Sequence, residues 1–513
     1  MSTNKSISSS NKGIAKSASI IGLATFISRI LGFIRDVVIA RLFGTQTLSQ
    51  AFVVAFKIPN LFRDLVGEGA ANAAFVPVFS EYTIKHTKEE FWKLCNVMLN
   101  LLLIILMFIT ILGVIFAPII VRLIAPGFLS SPEKLEATIK LTRIIFPYLL
   151  LISLAAYAMG ILNSLKHFSI PAFAPCLLNI SIITFAIIFG ENIKGLSLGV
   201  LVGGLLQLTI QIPVLYKKGF RLKLFPHLSH PGAKTIGRLM LPRLLSSGIY
   251  QLNNFVDTIF GSLAWIVGEG GVAVLYFSYR LIQFPLGIFS IALSQAALPT
   301  FSTQAIEDER EKLKHSLSWS LRTTFFVMLP ASIGLIVLAQ PIISKFFGSG
   351  RFDERSVMLT SNALIFYSIG LVAYGSTRIL QSCFFALKDT LTPTKIATVA
   401  LVLNIILNAI LMYPLKIGGI ALATSLSGIN TFLVLFFILR RKLGGFGVRQ
   451  VLFSFFRILT ASIAMGVVCF YLNKIYNLFL VIPLSFISYI LFCFLFGVSE
   501  LRQLFKWLRL VKN

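Results

Sequence analysis

The chain has 513 residues, of which 56% are hydrophobic and 13% charged, and its mean hydropathy is +0.87. These values exclude a soluble globular protein and indicate a polytopic membrane protein. The formal net charge of +27 is not evidence for a nucleic-acid partner, because no basic soluble domain with interleaved aromatic residues carries it. Most of the charge falls in short loops, where it sets topology.

A hydropathy window of about 19 residues predicts about fourteen membrane-spanning helices. The approximate spans are 17–43, 50–80, 94–122, 138–163, 170–190, 195–216, 236–267, 271–302, 317–347, 356–387, 391–413, 417–439, 451–473 and 476–498. Pro59, Gly67 and Gly69 interrupt the second span. An interrupted helix is tolerated where neighbouring protein or a wet cavity satisfies the freed backbone groups.

The distribution of Lys and Arg predicts the orientation. With a cytoplasmic N-terminus, the cytoplasmic loops and tails hold about 25 Lys and Arg residues and the opposite side about 7, which satisfies the positive-inside rule. Both termini are therefore expected in the cytoplasm. The basic stretch from Leu501 to Lys512 predicts an interfacial amphipathic helix, with a merely basic cytoplasmic tail as the alternative.

The five cysteines are dispersed singly through apolar segments, without a Cys-x-x-Cys pair. This pattern argues against a disulfide framework or a zinc site. We expect the cysteines to serve as small, buried hydrophobic residues. No cofactor is predicted. No nucleophile–base pair, metal cluster or phosphate-cradling glycine loop occurs at a usable spacing, so the chain is not expected to be an enzyme.

An internal repeat runs through most of the chain. Its paired positions, 222 apart, are Leu165-Lys166 and Leu387-Lys388, Pro171 and Pro393, Pro77 and Pro299, and Lys194 and Lys416. Each copy holds about six spans, so both copies enter the membrane in the same orientation, and a pseudo-twofold axis along the membrane normal is expected to relate them. The last two spans lie outside the repeat.

The predicted fold is therefore an all-α polytopic membrane protein with two parallel six-helix lobes and two extra C-terminal helices. We predict an N-terminal lobe at 1–225, a C-terminal lobe at 226–445, and the extra helices with a basic amphipathic cytoplasmic tail at 446–513.

Several cations lie within long apolar segments. They are Arg29, Arg35, Lys57, Arg63, Arg243, Arg280, Arg322 and Arg378. A cation at the bilayer centre costs at least about 2.5 to 3.5 kcal/mol, so an internal cavity that receives an anion is the simplest explanation, with snorkelling or paired helix-end residues as the alternative for some of them. Lys57 and Arg280 correspond in the repeat. Arg29 and Arg35 lie roughly 240° apart around one helix, so they do not point the same way.

Several long motifs resemble one known family, the MurJ (MviN) lipid II flippases. These motifs are Ser28-Arg29-x-Leu31-Gly32-Phe33-x-Arg35-Asp36, Ala55-Phe56-Lys57-Ile58-Pro59-Asn60-Leu61-Phe62-Arg63, Glu68-Gly69-Ala70, Phe75-Val76-Pro77, Phe146-Pro147-Tyr148 and Phe168-Ser169-Ile170-Pro171-Ala172-Phe173-Ala174-Pro175. The resemblance runs from the first helix to the last. It implies the fourteen-helix fold of the multidrug, oligosaccharidyl-lipid and polysaccharide exporter superfamily.

The resemblance also implies a function and a binding site. The expected substrate is lipid II, the undecaprenyl-diphosphate-linked peptidoglycan precursor, moved from the inner to the outer leaflet of the bacterial cytoplasmic (inner) membrane by alternating access. The resemblance assigns the central cavity to Arg29, Arg35, Arg63 and Arg280, with Ser28, Asp36, Asn60 and Lys57 beside them. Guanidinium groups match a diphosphate. The lipid tail is expected in a groove by the last two helices.

This chain departs from the family pattern at three positions. Gln50, Tyr279 and Gln283 stand where relatives carry acids, so the field around Arg280 is expected to be more positive here. A mechanism that needs those acids as salt-bridge gates is in doubt for this chain.

The resemblance also suggests a coupling site, because some relatives hold sodium in the C-terminal lobe. The matching positions are Asp257, Asn404, Asn408 and Thr424, whose oxygen atoms suit a hard cation. A hydrogen-bonded polar patch between helices is the alternative, and the membrane potential is a rival energy source.

Two other functions stay open at this stage. One is an exporter of another polyprenyl-diphosphate-linked glycan or of drugs, although cationic drugs need acids in the cavity and this cavity is basic. The other is a membrane scaffold, which leaves the buried arginines unexplained. Expected partners are lipid II, membrane lipids and cell-wall synthesis proteins.

Overall fold

The computed structural model describes residues 2–62, 74–224, 228–307 and 309–502. Over these ranges the regular secondary structure is helical and contains no strand. By its internal contacts the chain divides into two compact units, Met1–Ser262 and Leu263–Asn513.

The first unit contains eleven helices within the described ranges. They are α1 Ser2–Phe43, α2 Thr47–Phe62, α3 Val76–Lys85, α4 Lys88–Ile115, α5 Ala117–Ile124, α6 Pro132–Ile145, α7 Tyr148–Ser164, α8 Ser169–Phe189, α9 Ile193–Thr209, α10 Ile212–Lys218 and α11 Pro231–Ser262. A 3₁₀ turn, Pro126–Ser130, links α5 to α6.

The second unit contains ten helices within the described ranges. They are α12 Ala264–Val267, α13 Gly271–Pro285, α14 Ile291–Ile306, α15 Arg310–Val337, α16 Ala339–Phe346, α17 Glu354–Ile369, α18 Leu371–Ala386, α19 Leu391–Leu443, α20 Val448–Ile475 and α21 Leu478–Leu495. A π turn, Leu286–Ser290, joins α13 to α14.

The all-α polytopic fold is confirmed. Nine helical segments of the described chain are long and apolar enough to cross a membrane, and the bent pair α17 and α18 is a tenth candidate. The share of residues buried inside the protein, taken over an apolar 18-residue window of each span, varies from 22% to 72%. Much of the surface of most spans is therefore available to lipid. The count of fourteen spans stays a prediction.

The bounds of the helices reproduce the repeat. Helix α15 begins and ends 222 positions after α4, since 310 − 88 and 337 − 115 are both 222. The same spacing relates both ends of α5 to those of α16. Helices α8 and α19 also begin 222 positions apart. The duplicated sequence therefore specifies duplicated helices.

The turn that precedes α8 and α19 repeats in its backbone conformation. Lys166 and Lys388 both adopt left-handed φ values, 57° and 59°, which are uncommon for residues with a Cβ atom. In each turn the next residue donates its backbone N–H to a carbonyl five positions earlier, from His167 to Leu162 at 2.8 Å and from Asp389 to Phe384 at 2.9 Å. This bond closes the preceding helix.

Several predicted spans are broken in the structure. The segment predicted at 94–122 ends its first helix at Ile115 and resumes at Ala117, and the one at 317–347 breaks in the same way at Leu338. A proline follows each break, Pro118 or Pro341, and proline cannot donate the hydrogen bond that continues a helix. The span predicted at 356–387 bends by 42° between α17 and α18.

The predicted lobe boundaries at 225/226 and 445/446 and the pseudo-twofold axis stay predictions. Helix α11 is grouped with the first unit because it packs on α3, α4 and α5. The interruption predicted at Pro59 is wrong, because α2 continues through Pro59 to Phe62. The interruption predicted around Gly67 and Gly69 and the amphipathic tail from residue 503 onward lie outside the described residues.

Helices α8 and α9 pack at close range through two glycines. A Cβ atom on Gly203 would lie 2.9 Å from the Cα atom of Leu178, and one on Gly199 would lie 3.0 Å from the Cα atom of Ile182. The spacing of four places both glycines on one face of α9, the arrangement by which small residues let membrane helices approach each other.

We predict that Gly203→Ala lowers the thermal unfolding midpoint of the purified protein. The added methyl group meets backbone, and overpacking of this kind costs about 1 to 3 kcal/mol. The matched control is Gly334→Ala in α15, where a Cβ atom meets nothing within 4 Å. Equal midpoints for the two variants would contradict the close packing of α8 on α9.

Candidate functional site

The first-helix arginines lie in different environments. Arg35 is 5% exposed and Asp36 is 1% exposed. The Nε and Nη2 atoms of Arg35 donate to Oδ1 of Asp36 at 3.0 and 2.7 Å. Because an isolated buried charge is costly, this ion pair accounts for an arginine and an aspartate at neighbouring positions in an apolar helix.

Asn179 of α8 extends this ion pair to a second helix. Its Oδ1 atom accepts from Nη1 of Arg35 at 3.0 Å, and its Nδ2 atom donates to the backbone carbonyl of Ser28 at 3.1 Å. The ring of Phe56 in α2 lies 6.0 Å from the Arg35 guanidinium carbon, within cation–π range. Arg35 therefore holds α1, α2 and α8 together.

Arg29 lies six positions earlier on α1 and is partly exposed. The preceding residue, Ser28, is fixed through its carbonyl by Asn179. The surroundings of Arg29 and Arg35 therefore differ as their helical angle predicts, with Arg35 buried in the ion pair and Arg29 more accessible.

The predicted residues of α2 meet α11. The Nζ atom of Lys57 donates to the hydroxyl of Thr258 and lies 5.8 Å from the ring centre of Phe255, and the ammonium is attracted to the carboxylate of Asp257. Asn60 is partly buried, and its Oδ1 atom has no hydrogen-bond partner among the described residues. Arg63 lies outside the described residues.

Arg280 of α13 is partly exposed and contacts neutral side chains. Its Nη1 atom donates to Oε1 of Gln283 at 3.0 Å, its Nη2 atom donates to the hydroxyl of Tyr276 at 3.1 Å, and its guanidinium lies 5.1 Å from the ring centre of Tyr276. The ring of Tyr279 lies 5.3 Å from the ring of Tyr367 and is tilted by 59° to it.

Three of the four residues predicted for sodium lie together on α19. The Nδ2 atom of Asn408 donates to Oδ1 of Asn404 at 3.0 Å, and Nδ2 of Asn404 donates to Oγ1 of Thr424 at 3.2 Å. Thr424 donates in turn to the carbonyl of Ile420 at 3.2 Å. Asp257 belongs to α11, in the first unit. Oδ1 of Asn404 and Oγ1 of Thr424 therefore take part in a hydrogen-bonded chain that joins the two segments of α19 on either side of the bend at Lys416, and the sodium site stays a prediction.

No group of three or more His, Cys, Asp or Glu side chains able to hold a metal ion occurs in the searched, described part of the chain. Gln50 is 2% exposed, and its Nε2 atom has no hydrogen-bond partner within the described ranges. The chemistry that the predicted residues offer is therefore cationic and hydrogen-bonding, suited to holding an anion without reacting with it.

Sequence reasoning missed Asn179 and Thr258, which fix two of the predicted cations. A signal for Asn179 was present, because a buried amide within an apolar span requires a partner. The identity of that partner is set by the packing of α1 on α8, which no local pattern reveals.

Comparison with known proteins decides the family. The model of the family described as lipid II flippase MurJ matches residues 39–490. The chain belongs to this MurJ family. A probable lipid II flippase MurJ of Buchnera aphidicola subsp. Acyrthosiphon pisum is 35% identical over 504 residues, covering 95% of this chain and 98% of that protein. The lipid II flippase MurJ of Burkholderia cenocepacia is 33% identical over 426 residues, covering 82% of each.

Solved structures agree with the assignment to MurJ. A structure of lipid II flippase MurJ in an inward closed conformation matches with a TM-score of 0.80 and 30% identity, covering 94% of this chain and 99% of that one. An inward-facing multidrug resistance MATE family transporter of the MOP superfamily matches with a TM-score of 0.69 and 17% identity, covering 81% and 94%. The second likeness shows a shared fold only.

We predict that Arg35→Ala lowers the unfolding midpoint far more than Arg29→Ala does. Removing Arg35 leaves Asp36 buried without its guanidinium, and breaking a buried pair costs about 3 to 5 kcal/mol. Thermal unfolding of the purified variants in one detergent measures this difference. The unfolding midpoint of Asn179→Ala is expected to lie between those of the two arginine variants, because this substitution removes one acceptor of Arg35 and keeps its ion pair with Asp36. A midpoint for Arg35→Ala equal to that of Arg29→Ala would contradict the assignment.

Proposed function

We propose that this protein translocates lipid II from the inner to the outer leaflet of the bacterial cytoplasmic membrane. The observation that carries the proposal is the MurJ match from residue 39 to residue 490, across nearly the whole repeated body. Lipid II is named as the substrate of the matched relatives. A transporter also explains why this apolar chain keeps arginines in its spans.

The proposed substrate contacts come from the partly exposed arginines. Arg29 and Arg280, one from each repeat, bind the diphosphate, and Arg63 belongs with them by resemblance. Guanidinium groups present paired N–H donors that match phosphate oxygens. In a site of low dielectric the attraction is stronger than in water. By the same resemblance, we propose that Asn60 and Lys57 bind the sugar–diphosphate head.

Arg35, Asp36 and Ser28 have a different proposed role, since they position the first helix. The donors of Arg35 are directed to Asp36 and Asn179, and the Ser28 carbonyl accepts from the same amide. This network holds α1 in the orientation that presents Arg29. The contacts of Arg35 therefore support a positioning role for that residue.

Alternating access by the two repeats is the proposed mechanism, with both termini in the cytoplasm. The diphosphate head is captured from the cytoplasmic side and released outside, while the lipid tail stays in the apolar phase along α20 and α21. Both helices expose large apolar side chains, among them Phe456, Phe470, Phe479 and Phe486, which supports a tail-binding surface. Cell-wall synthesis proteins are proposed to receive the translocated precursor.

The membrane potential is the proposed energy source. Moving one charge across 100 mV changes its free energy by about 2.3 kcal/mol, and the site is cationic. The hydrogen bonds among Asn404, Asn408 and Thr424 favour a polar cluster between helix segments, and the attraction between Asp257 and Lys57 already provides that carboxylate with a cation. Sodium bound by these four residues is the alternative.

We predict that this gene rescues a bacterial strain depleted of its lipid II flippase, and that Arg29→Ala and Arg280→Ala do not. Each substitution removes a guanidinium that binds the diphosphate. Lipid II should then accumulate on the inner leaflet, measured by its accessibility from outside. Arg41→Ala, an exposed position at the end of α1, is the matched control and should rescue. Full rescue by both cavity variants at equal protein levels would remove the cavity assignment.

We also predict that exchanging sodium for potassium at constant membrane potential leaves the translocation rate unchanged, whereas dissipating the potential lowers it. The proposed driving force acts on cationic groups and needs no bound ion. Reconstituted vesicles with imposed ion gradients measure both effects. A sodium requirement that Asp257→Ala or Asn404→Ala abolishes would instead establish the sodium alternative.

A further inference from the structure

A cationic cavity lies in the C-terminal unit, where α15 meets α20 and the residues that follow α21. It has a volume of about 150 Å³ and is lined by Arg322, Gln450, Phe453, Ser454, Arg457, Ser499 and Glu500. None of these residues belongs to the proposed lipid II site. The cavity lies at the N-terminal end of α20. In sequence, this end comes shortly after the basic residues in the last turn of α19, Arg440, Arg441 and Lys442.

The charges of this cavity do not balance. Arg322 and Glu500 form an ion pair, with 3.1 Å between Nη1 and Oε1; the side chain of Glu500 is buried and that of Arg322 is 12% exposed. Ser499 donates its hydroxyl to the other oxygen of Glu500 at 3.0 Å. Arg457 adds a second guanidinium, which donates to the carbonyl of Gly497 at 3.1 Å and stacks 4.2 Å from the ring centre of Phe453. Two arginines face one carboxylate, which leaves one positive charge.

Buried donors in the cavity have no partner within the described part of the chain. The hydroxyl of Ser454, a residue that is 6% exposed, makes no hydrogen bond there, and neither does the Nε atom of Arg322. A buried donor left without a partner is destabilising. The cavity thus offers an excess positive charge together with donors suited to an anionic oxygen.

The two repeats differ at the position of Arg322. The position that matches Arg322 in the first unit is Asn100, 222 residues earlier, and there the amide donates to the backbone carbonyl of Lys223 at 3.0 Å. In the first unit, Asn100 therefore binds the chain segment around Lys223 to α4. In the second unit, the matching residue Arg322 lines the charged cavity instead.

The surroundings indicate what kind of anion fits. Phe453 and Phe456 of α20 are each 59% exposed, and Leu452 is 49% exposed. An apolar surface of this kind on a membrane-spanning helix faces acyl chains. A phosphodiester carries a single negative charge, which matches the single excess positive charge of the cavity, and its oxygen atoms accept hydrogen bonds from guanidinium and hydroxyl groups.

We infer that this cavity binds the phosphodiester head group of an anionic membrane lipid, with the acyl chains lying against Leu452 and Phe453 at the start of α20. Arg457 and Ser454 bind the phosphate oxygens. Arg322 contributes its remaining N–H donor while it stays paired with Glu500. The bound lipid stabilises the contact between the helix pair α20 and α21 and the repeated body at α15.

The test is native mass spectrometry of the purified full-length protein titrated with dioleoylphosphatidylglycerol, and in parallel with dioleoylphosphatidylcholine. The wild-type protein should retain the anionic lipid in preference to the zwitterionic one. Arg457→Gln should weaken the affinity for the anionic lipid about tenfold, as expected for a charge-assisted hydrogen bond, and Ser454→Ala should weaken it less. Arg457 is exposed, so its replacement leaves the buried Arg322–Glu500 pair intact.

The matched control is Arg449→Gln, an exposed arginine on the first turn of α20 that does not line the cavity. It should bind the anionic lipid as the wild-type protein does. Equal weakening by Arg449→Gln and Arg457→Gln would overturn the cavity, since it would mean diffuse surface attraction. Displacement of the lipid by an equal concentration of inorganic phosphate would overturn the lipid assignment, because it would identify free phosphate as the ligand.

Discussion

The cost of placing charge inside apolar helices is the constraint on which this structure depends. The buried charge of Arg35 is compensated by the carboxylate of Asp36 on the same helix, and Arg35 also donates to Asn179 of α8. Asn179 then donates to the Ser28 carbonyl of α1. One buried charge therefore determines how the first helix packs, and it leaves Arg29, six positions away, partly exposed. The proposed division between a positioning arginine and a substrate-binding one rests on that packing.

Duplication gave the chain two copies of one helical framework with different chemistry at matching places. Lys57 of α2 donates to Thr258 and is attracted to the carboxylate of Asp257, whereas Arg280, its counterpart in α13, donates to the side chains of Tyr276 and Gln283. Such differences make the two repeats unequal halves of the proposed transport cycle.

The sequence predicted the membrane class, the repeat and the family well, because apolar runs and a constant spacing of 222 are strong signals. It did not predict the helix breaks at Phe116 and Leu338, since a hydropathy window averages over a proline. It also could not say which of Arg29 and Arg35 is buried, because Asn179 lies 144 positions from Arg35. Local patterns specify helices, and long-range packing specifies which side chains remain accessible.

In the proposed transport cycle, the partly exposed arginines of each repeat bind a diphosphate while Arg35 holds the first helix. The decisive measurement is the affinity of the purified protein for undecaprenyl diphosphate, compared with that of Arg29→Gln and Arg280→Gln at matched folded concentration. Each substitution is expected to weaken binding about tenfold or more, because each removes a charge-assisted hydrogen-bond donor. Unchanged affinity in both variants would contradict this proposal.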